Sequence, residues 1–423
     1  MNIVEKNDKR EIILKLNDKV KKNDFNYYWH GFKSFPIALY NSSEVYLVNY
    51  KDLPEGYYVD GNVAIGKRTE EFSQDTVINL GGQYTVICNI DTLTEVVDLD
   101  KLYSEVVHEM FHSHQLETGE SRFPNEALYF TYKFTSEFLA LRIKEREYLL
   151  KAAFEDDEIK KKELISYFIS IRELRKNIIG KSINYEYGIE SIEGTATYVE
   201  YKAFQRENDL PPKYVIAKYG EKLIQSNDLK HFRTSCHFSG MFMALIMDSM
   251  CEDWQKIYDD SKLYLYHYFK KQIEWAQKDV TPQINAYINY ILRNYDDLGK
   301  KEITSFYINA GYNIILDGKF SITQFDPANI IGLDGRLLHK NFVKLNNKYL
   351  INEKVITTHD GDNVLNATSV EFFVQDEPIM IEGGIYIQGI GEFKGKVIPT
   401  NKGYIIKFKQ PFVDIAVKGS NLK

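Results

Sequence analysis

Cysteine is scarce in this chain. Only Cys88, Cys236 and Cys251 occur, an odd number with no C-x-x-C pair. That argues against a disulfide framework and against a thiolate zinc knuckle. A basic excess is lacking as well. The formal net charge is -7, with no Lys/Arg cluster on the acidic background, so nucleic acid is not expected as a partner. Long apolar runs are missing. The longest, near "GMFMALIM", is far too short to span a bilayer, and no membrane partner is expected. The start, "MNIVEKNDKREIILKL", lacks the apolar segment of a signal peptide. Together these absences predict a reduced, cytoplasmic location.

What is present is the composition of a soluble globular protein, 44% hydrophobic and 27% charged over 423 residues. That length predicts two or three domains. The expected fold class is α+β multidomain, in three zones. Residues 1–100 read as a mixed β/α N-terminal lobe. There "EVYLVNY", "DTVINL" and "QYTVICNI" are short β-rich runs between Gly, Pro and Asp turns. Residues 101–311 read as a mainly helical lobe, because "LYFTYKFTSEFLALRIKEREYLLKAAF" is Gly-free and periodic at helical spacing. Residues 312–423 return to alternating strands such as "SVEFFVQ" and "GYIIKFKQ". They predict an all-β C-terminal domain, a sandwich or a small barrel.

The chemistry concentrates in "SEVVHEMFHSHQLETG", which holds three of the nine histidines. His108 and His112 bracket Glu109 as H-E-x-x-H. On a helix, positions i and i+4 share a face, so both imidazoles would point at one metal. Zinc takes such ligands and, in catalytic sites, leaves one position open for water. Glu109 would sit beside that position as general base. The surrounding run has no Gly or Pro before Gly119, Asp98 or Asp100 could cap its start, and Val106, Val107, Met110 and Phe111 would bury one side. His114 lies roughly opposite His112 on the wheel and is not expected to be a ligand.

A third ligand is needed. The metzincin pattern fails, since Gln115 and Thr118 occupy the positions where it needs Gly and His. The alternative is a glutamate from a second helix, with "GIESIEGTATYVEYKAF" the best segment and Glu126, Glu190 and Glu193 as candidates. Glu200, two turns after Glu193, suits a supporting carboxylate better than a ligand. Without such roles, Glu190 and Glu200 read as surface charge.

"EGTATYVEY" resembles the E-G-F-A-x-Y-V-E segment of gluzincins, the H-E-x-x-H…E zinc peptidases, especially their aminopeptidase branch. "HEMFHSHQ" is similar to the H-E-x-F-H-x-x-Q form of bacterial gluzincin-like proteins. The resemblance covers roughly residues 80–250. It implies a zinc-peptidase-like helical lobe, Zn2+ as cofactor, and a peptide or protein as substrate. It implies Glu193 as third ligand, with Gly194 permitting close helix approach. It also implies an oxyanion donor on a later helix. "HFSG" matches the family's Y-x-K-G spacing, with His237 in the tyrosine's place. Tyr198 and Tyr201 are weaker alternatives for that role. The strand "GGQYTVICNI" stands where an edge strand of this family pairs with extended substrate, and its residues suit an ordinary core strand equally. Two features depart from the pattern. Eighty residues separate His112 from Glu193, and no G-A-M-E-N-like segment is present.

Cys236 adjoins His237, but helix neighbours point apart, so a buried structural thiol is expected rather than a Cys-His dyad. Two rival readings remain: a catalytically silent zinc- or peptide-binding pseudoenzyme, and a helical scaffold with no metal.

Overall fold

The computed structural model describes residues 3–5, 9–72, 74–225, 229–326, 329–333, 335–359 and 364–408. The chain opens with β1 (Ile3–Glu5), α1 (Lys9–Lys22), β2 (Ile37–Tyr40), β3 (Glu44–Val48), β4 (Tyr58–Asp60), β5 (Val63–Lys67), β6 (Thr76–Leu80), β7 (Gln83–Asn89) and β8 (Val96–Asp98). Six of these strands make one sheet in the order β4-β5-β3-β2-β7-β6. All its neighbours are antiparallel except β2 and β7. The β6–β7 hairpin closes through Gly81 and Gly82, both at positive φ (58° and 82°). A two-residue hairpin turn favours glycine at such positions.

Helix α2 (Leu99–Glu117) carries the H-E-x-x-H motif. Of the two candidate caps, Asp98 serves, accepting the backbone N–H groups of Asp100 and Lys101. Gly119 follows its end at φ 71°. The buried face, Val106, Val107, Met110 and Phe111, joins a core shared with Ile37, Leu39 and Val86 of the sheet and with later helices. Trp29 from the N-terminal segment stacks edge-on against Phe111 and Trp254, with centroids 5.1 and 5.2 Å apart. The mixed N-terminal region and the helical middle therefore grow from one core.

The helical middle continues with α3 (Ser136–Phe154), α4 (Glu158–Ile179), α5 (Asn184–Asn208), α6 (Pro212–Gln225), α7 (Phe232–Met250), α8 (Trp254–Ser261), α9 (Leu265–Gln272) and α10 (Ala286–Tyr307). Helices α5 and α7 cross at a glycine pair. A Cβ on Gly194 would lie 2.6 Å from the Gly240 Cα, and one on Gly240 would lie 2.6 Å from the Glu190 carbonyl oxygen. Any side chain at either position would push the helices apart.

Beneath this crossing, α3, α4 and α5 are tied by a buried ionic cluster. Arg172 donates to Glu145 at 2.6 Å and to both oxygens of Glu190 at 2.8 Å. Arg175 donates to Glu145 at 2.7 Å and to Glu186. These side chains are at most 2% exposed. The surface-charge expectation for Glu190 is thus overturned, because three helices converge on it.

From Tyr312 the described residues form a nine-stranded and a three-stranded sheet. Their own core includes Leu316, Val343, Val370, Phe372 and Ile406. Ile303 and Phe306 of α10 pack against Ile331, Leu338, Ile356 and Phe373 of this region. Residues 409–423 of the expected C-terminal domain lie outside the described residues. Among the described residues, no helix is long and apolar enough to cross a membrane.

Candidate metal centre

Helical spacing brings the His108 and His112 rings to 5.0 Å between centroids. Each ring is fixed through its Nδ1. His108 Nδ1 donates to Glu200 Oε2 at 3.1 Å, and Tyr219 holds the other oxygen of that carboxylate at 2.8 Å. His112 Nδ1 meets Gln115 Oε1 at 2.8 Å. The Gln115 amide nitrogen donates to the Ile192 carbonyl at 3.0 Å and to Thr195 Oγ1 at 3.1 Å. A carbonyl can only accept, so the Gln115 oxygen must face the imidazole, and His112 Nδ1 must carry the proton. With Nδ1 occupied by these partners, both histidines turn Nε2 toward Glu193, the atom that would bind a metal on losing its proton.

Glu193 on α5 completes the group. Its Oε2 lies 3.5 Å from His108 Nε2 and 3.3 Å from His112 Nε2. Bonds of about 2.0–2.1 Å in a tetrahedron put ligand atoms about 3.3–3.4 Å apart. A charge-assisted hydrogen bond would be shorter, about 2.7–2.9 Å. The separations thus fit the edges of a metal's coordination shell better than a set of ion pairs. The other Glu193 oxygen accepts from Arg233 Nη2 at 3.2 Å, which keeps Oε2 turned inward. Arg233 is held in turn by Glu126 at 2.7 Å.

His108, Glu109 and His112 also offer ligand atoms within 4.8 Å of one another. Glu109 makes no hydrogen bond or ion pair among the described residues, so none of them fixes its carboxylate in place.

The electrostatics favour a cation here. Burial opposes protonation of His108, but Glu193, Glu200 and Glu109 outweigh it and carry its pKa well above the usual value. Burial is likewise outweighed at His112, chiefly by Glu193. Burial would raise the Glu193 carboxyl, yet His237, His112 and His108 hold it well below the ordinary range. His237 itself is lowered to about 4, by burial and by Arg233. It is neutral at neutral pH, so the two histidines of α2, rather than His237, carry the Glu193 effect there.

His237 on α7 faces this centre, with Nδ1 3.9 Å from Glu193 Oε2. As a neutral ring it retains one N–H to donate. Tyr198 and Tyr201 are turned away. Tyr198 donates to both oxygens of Asp248 at 2.8 Å, and Tyr201 points at the Pro212 carbonyl at 3.4 Å. His114 is buried against Phe32 and Phe111, away from the ligand atoms. Cys236 is fully buried and free, as a structural thiol.

Glu200 holds the supporting place expected of it, orienting His108. One expectation is corrected. Strand β7, "GGQYTVICNI", is not an edge, since β2 and β6 flank it. Among the described residues the outermost strands are β4 and, next to β7, β6. Asp75, just before β6, accepts the Asn89 N–H at 2.6 Å and lines a cleft of ≈ 310 Å³ together with His108, Glu109 and Glu200.

Gln115, Tyr219 and Arg233 had been given no role. Gln115 had a legible signal, three residues after His112 on the same helix face. Arg233 had one too, four residues before His237. Tyr219 had none, among 31 tyrosines.

No family model, curated protein or solved structure matches this chain.

Proposed function

We propose that this protein is a zinc-dependent peptidase-like hydrolase of the gluzincin type, acting on peptides or proteins in the cytoplasm. One observation carries the reading: His108 Nε2, His112 Nε2 and Glu193 Oε2 converge with separations of 3.3 and 3.5 Å to the carboxylate, beside a carboxylate, Glu109, that no described residue ties down. His108, His112 and Glu193 would hold the metal. When bound, zinc supplies a Lewis acid that polarises a carbonyl and makes water more acidic.

The chain's own residues do the rest. Glu109 takes a proton from the attacking water as its oxygen bonds to the carbonyl carbon. It then delivers that proton to the departing amine as the C–N bond breaks. His237 donates its N–H to the oxyanion, where negative charge develops. Glu200 and Gln115 fix the two imidazoles, and Arg233 fixes Glu193. The outer edge of β6 pairs with an extended substrate, main chain to main chain, leading toward Glu109.

Metal analysis tests the reading. Protein purified without chelator should carry about one zinc per chain. His108→Ala, His112→Ala and Glu193→Ala should each lose most of it, and Glu126→Ala should keep it. Full zinc retention in the first three would overturn the assignment.

A further inference from the structure

The cleft beside Glu109 has two kinds of wall. Leu39, Ile90, Leu93 and Leu102 form an apolar sleeve. Asp75 and Glu105 stand exposed at its mouth. No Lys or Arg is among the lining residues. Asp75 forms no ion pair among the described residues, and the Asn89 N–H engages only one of its oxygens. Glu105 meets Lys101 at 3.2 Å, but both side chains are about half exposed or more, at 48% and 63%. Such a pair is weak and easily exchanged. The cleft, ≈ 310 Å³, lies at the small end of ligand sites, about 300–1,000 Å³. That suits one side chain better than a bulky ligand.

Apolar sleeve and acidic mouth together describe the complement of a long cationic side chain. Its methylene stem would lie along the leucines and isoleucine, with the charged head at the carboxylates. A glutamate in the same place would meet like charge, and a short polar residue would leave the sleeve uncovered.

We propose that this cleft selects peptides that place an alkylammonium or guanidinium group in it, next to the bond to be cut. The proposal rests on the peptidase reading above. A lysine or arginine side chain and a free peptide N-terminus both supply such a cation, and the four apolar lining residues favour the side chain with its methylene stem.

The test uses fluorescein-labelled peptides identical except for one central residue, lysine, norleucine or glutamate. Each is made with a free and with an acetylated N-terminus. Binding is read by anisotropy on zinc-loaded Glu109→Gln protein, and cleavage on the wild type. A half-exposed charge pair contributes a few-fold, so two carboxylates should favour lysine over norleucine by about tenfold. Glutamate should bind most weakly. With Asp75→Asn and Glu105→Gln added to the Glu109→Gln protein, the lysine advantage should disappear while norleucine binding stays. An advantage that follows the free N-terminus instead, and is lost in the same variant, would keep the cation and reassign its source. Equal binding of all peptides, no binding, or a lysine advantage that survives the double substitution would overturn the proposal. If lysine selectivity holds but the wild type cuts nothing, the peptidase reading fails and the cleft's specificity stands.

Discussion

Helix α5 carries two pairs of glutamates with opposite surroundings. Glu186 and Glu190 are sealed, with side chains 2% and 0% exposed, against Arg172 and Arg175. Tyr132 and Ser239 add donors at 3.0 and 2.6 Å. Glu193 and Glu200, one and three turns further on, keep 19% and 18% exposure and meet neutral-capable imidazoles instead. The first pair is matched by permanent cations in fixed geometry, which leaves nothing to exchange. The second pair meets imidazoles, which can exchange a proton for a metal, although Glu193 also keeps Arg233 on its other oxygen. Similar carboxylates on one helix thus sit in a sealed arginine cluster or beside part-exposed imidazoles, and on the proposed reading only the second pair belongs to the metal site.

The sharpest way to divide the two pairs is to change the loose carboxylate beside the second. Glu109→Gln should lower turnover about 10²- to 10⁴-fold, the usual contribution of a general base. Zinc content and melting temperature should stay at wild-type values. Release of the metal by this variant would make Glu109 a ligand instead.

Removing one member of each pair should separate stability from metal binding. Glu190→Ala leaves Arg172 buried with half its partners, and breaking a buried ion pair costs about 3–5 kcal/mol. Glu193→Ala leaves Arg233 still bonded to Glu126, so its cost should be the smaller of the two. Urea unfolding of both variants, with chelator present so that metal contributes nothing, reads the difference. Equal losses would erase the distinction drawn here.

His237 sits between the pairs, on the helix that also supplies Ser239 to Glu190. If it donates to the oxyanion, His237→Ala should reduce turnover about 10²- to 10³-fold, with zinc content and substrate affinity nearly unchanged. A loss of folding stability with normal activity per folded molecule would move it to the structural side.

The smallest effects belong to the residues that orient the imidazoles. Glu200→Ala and Gln115→Ala should each weaken zinc affinity about 10- to 100-fold, measured by competition with a chelator, without abolishing binding.

Much of the site was legible along the chain because helical periodicity is local. His108, Glu109 and His112 needed only a helix, and the cap at Asp98 and the stop at Gly119 frame one. The β, helix, β texture followed from runs a few residues long. Glu193 was reachable only through its resemblance to a known motif. Arg233 and Tyr219 were missed because their significance lies in carboxylates far away in the chain.

The residue pattern alone determined that two imidazoles share a helix face with a glutamate between them, since a repeat of about 3.6 residues admits no other arrangement. It also determined that α5 and α7 could approach closely, because Gly194 and Gly240 have no side chains to prevent it. Which glutamate turns to the histidines was decided only by the fold. Glu190 and Glu193 are a single turn apart, and what separates them is Arg172 of α4 on one side and α2 on the other. The same holds for β7, whose alternating residues suit an edge or an interior strand equally. Its place between β2 and β6 comes from pairing with distant strands, and local pattern carries no record of who the neighbours are.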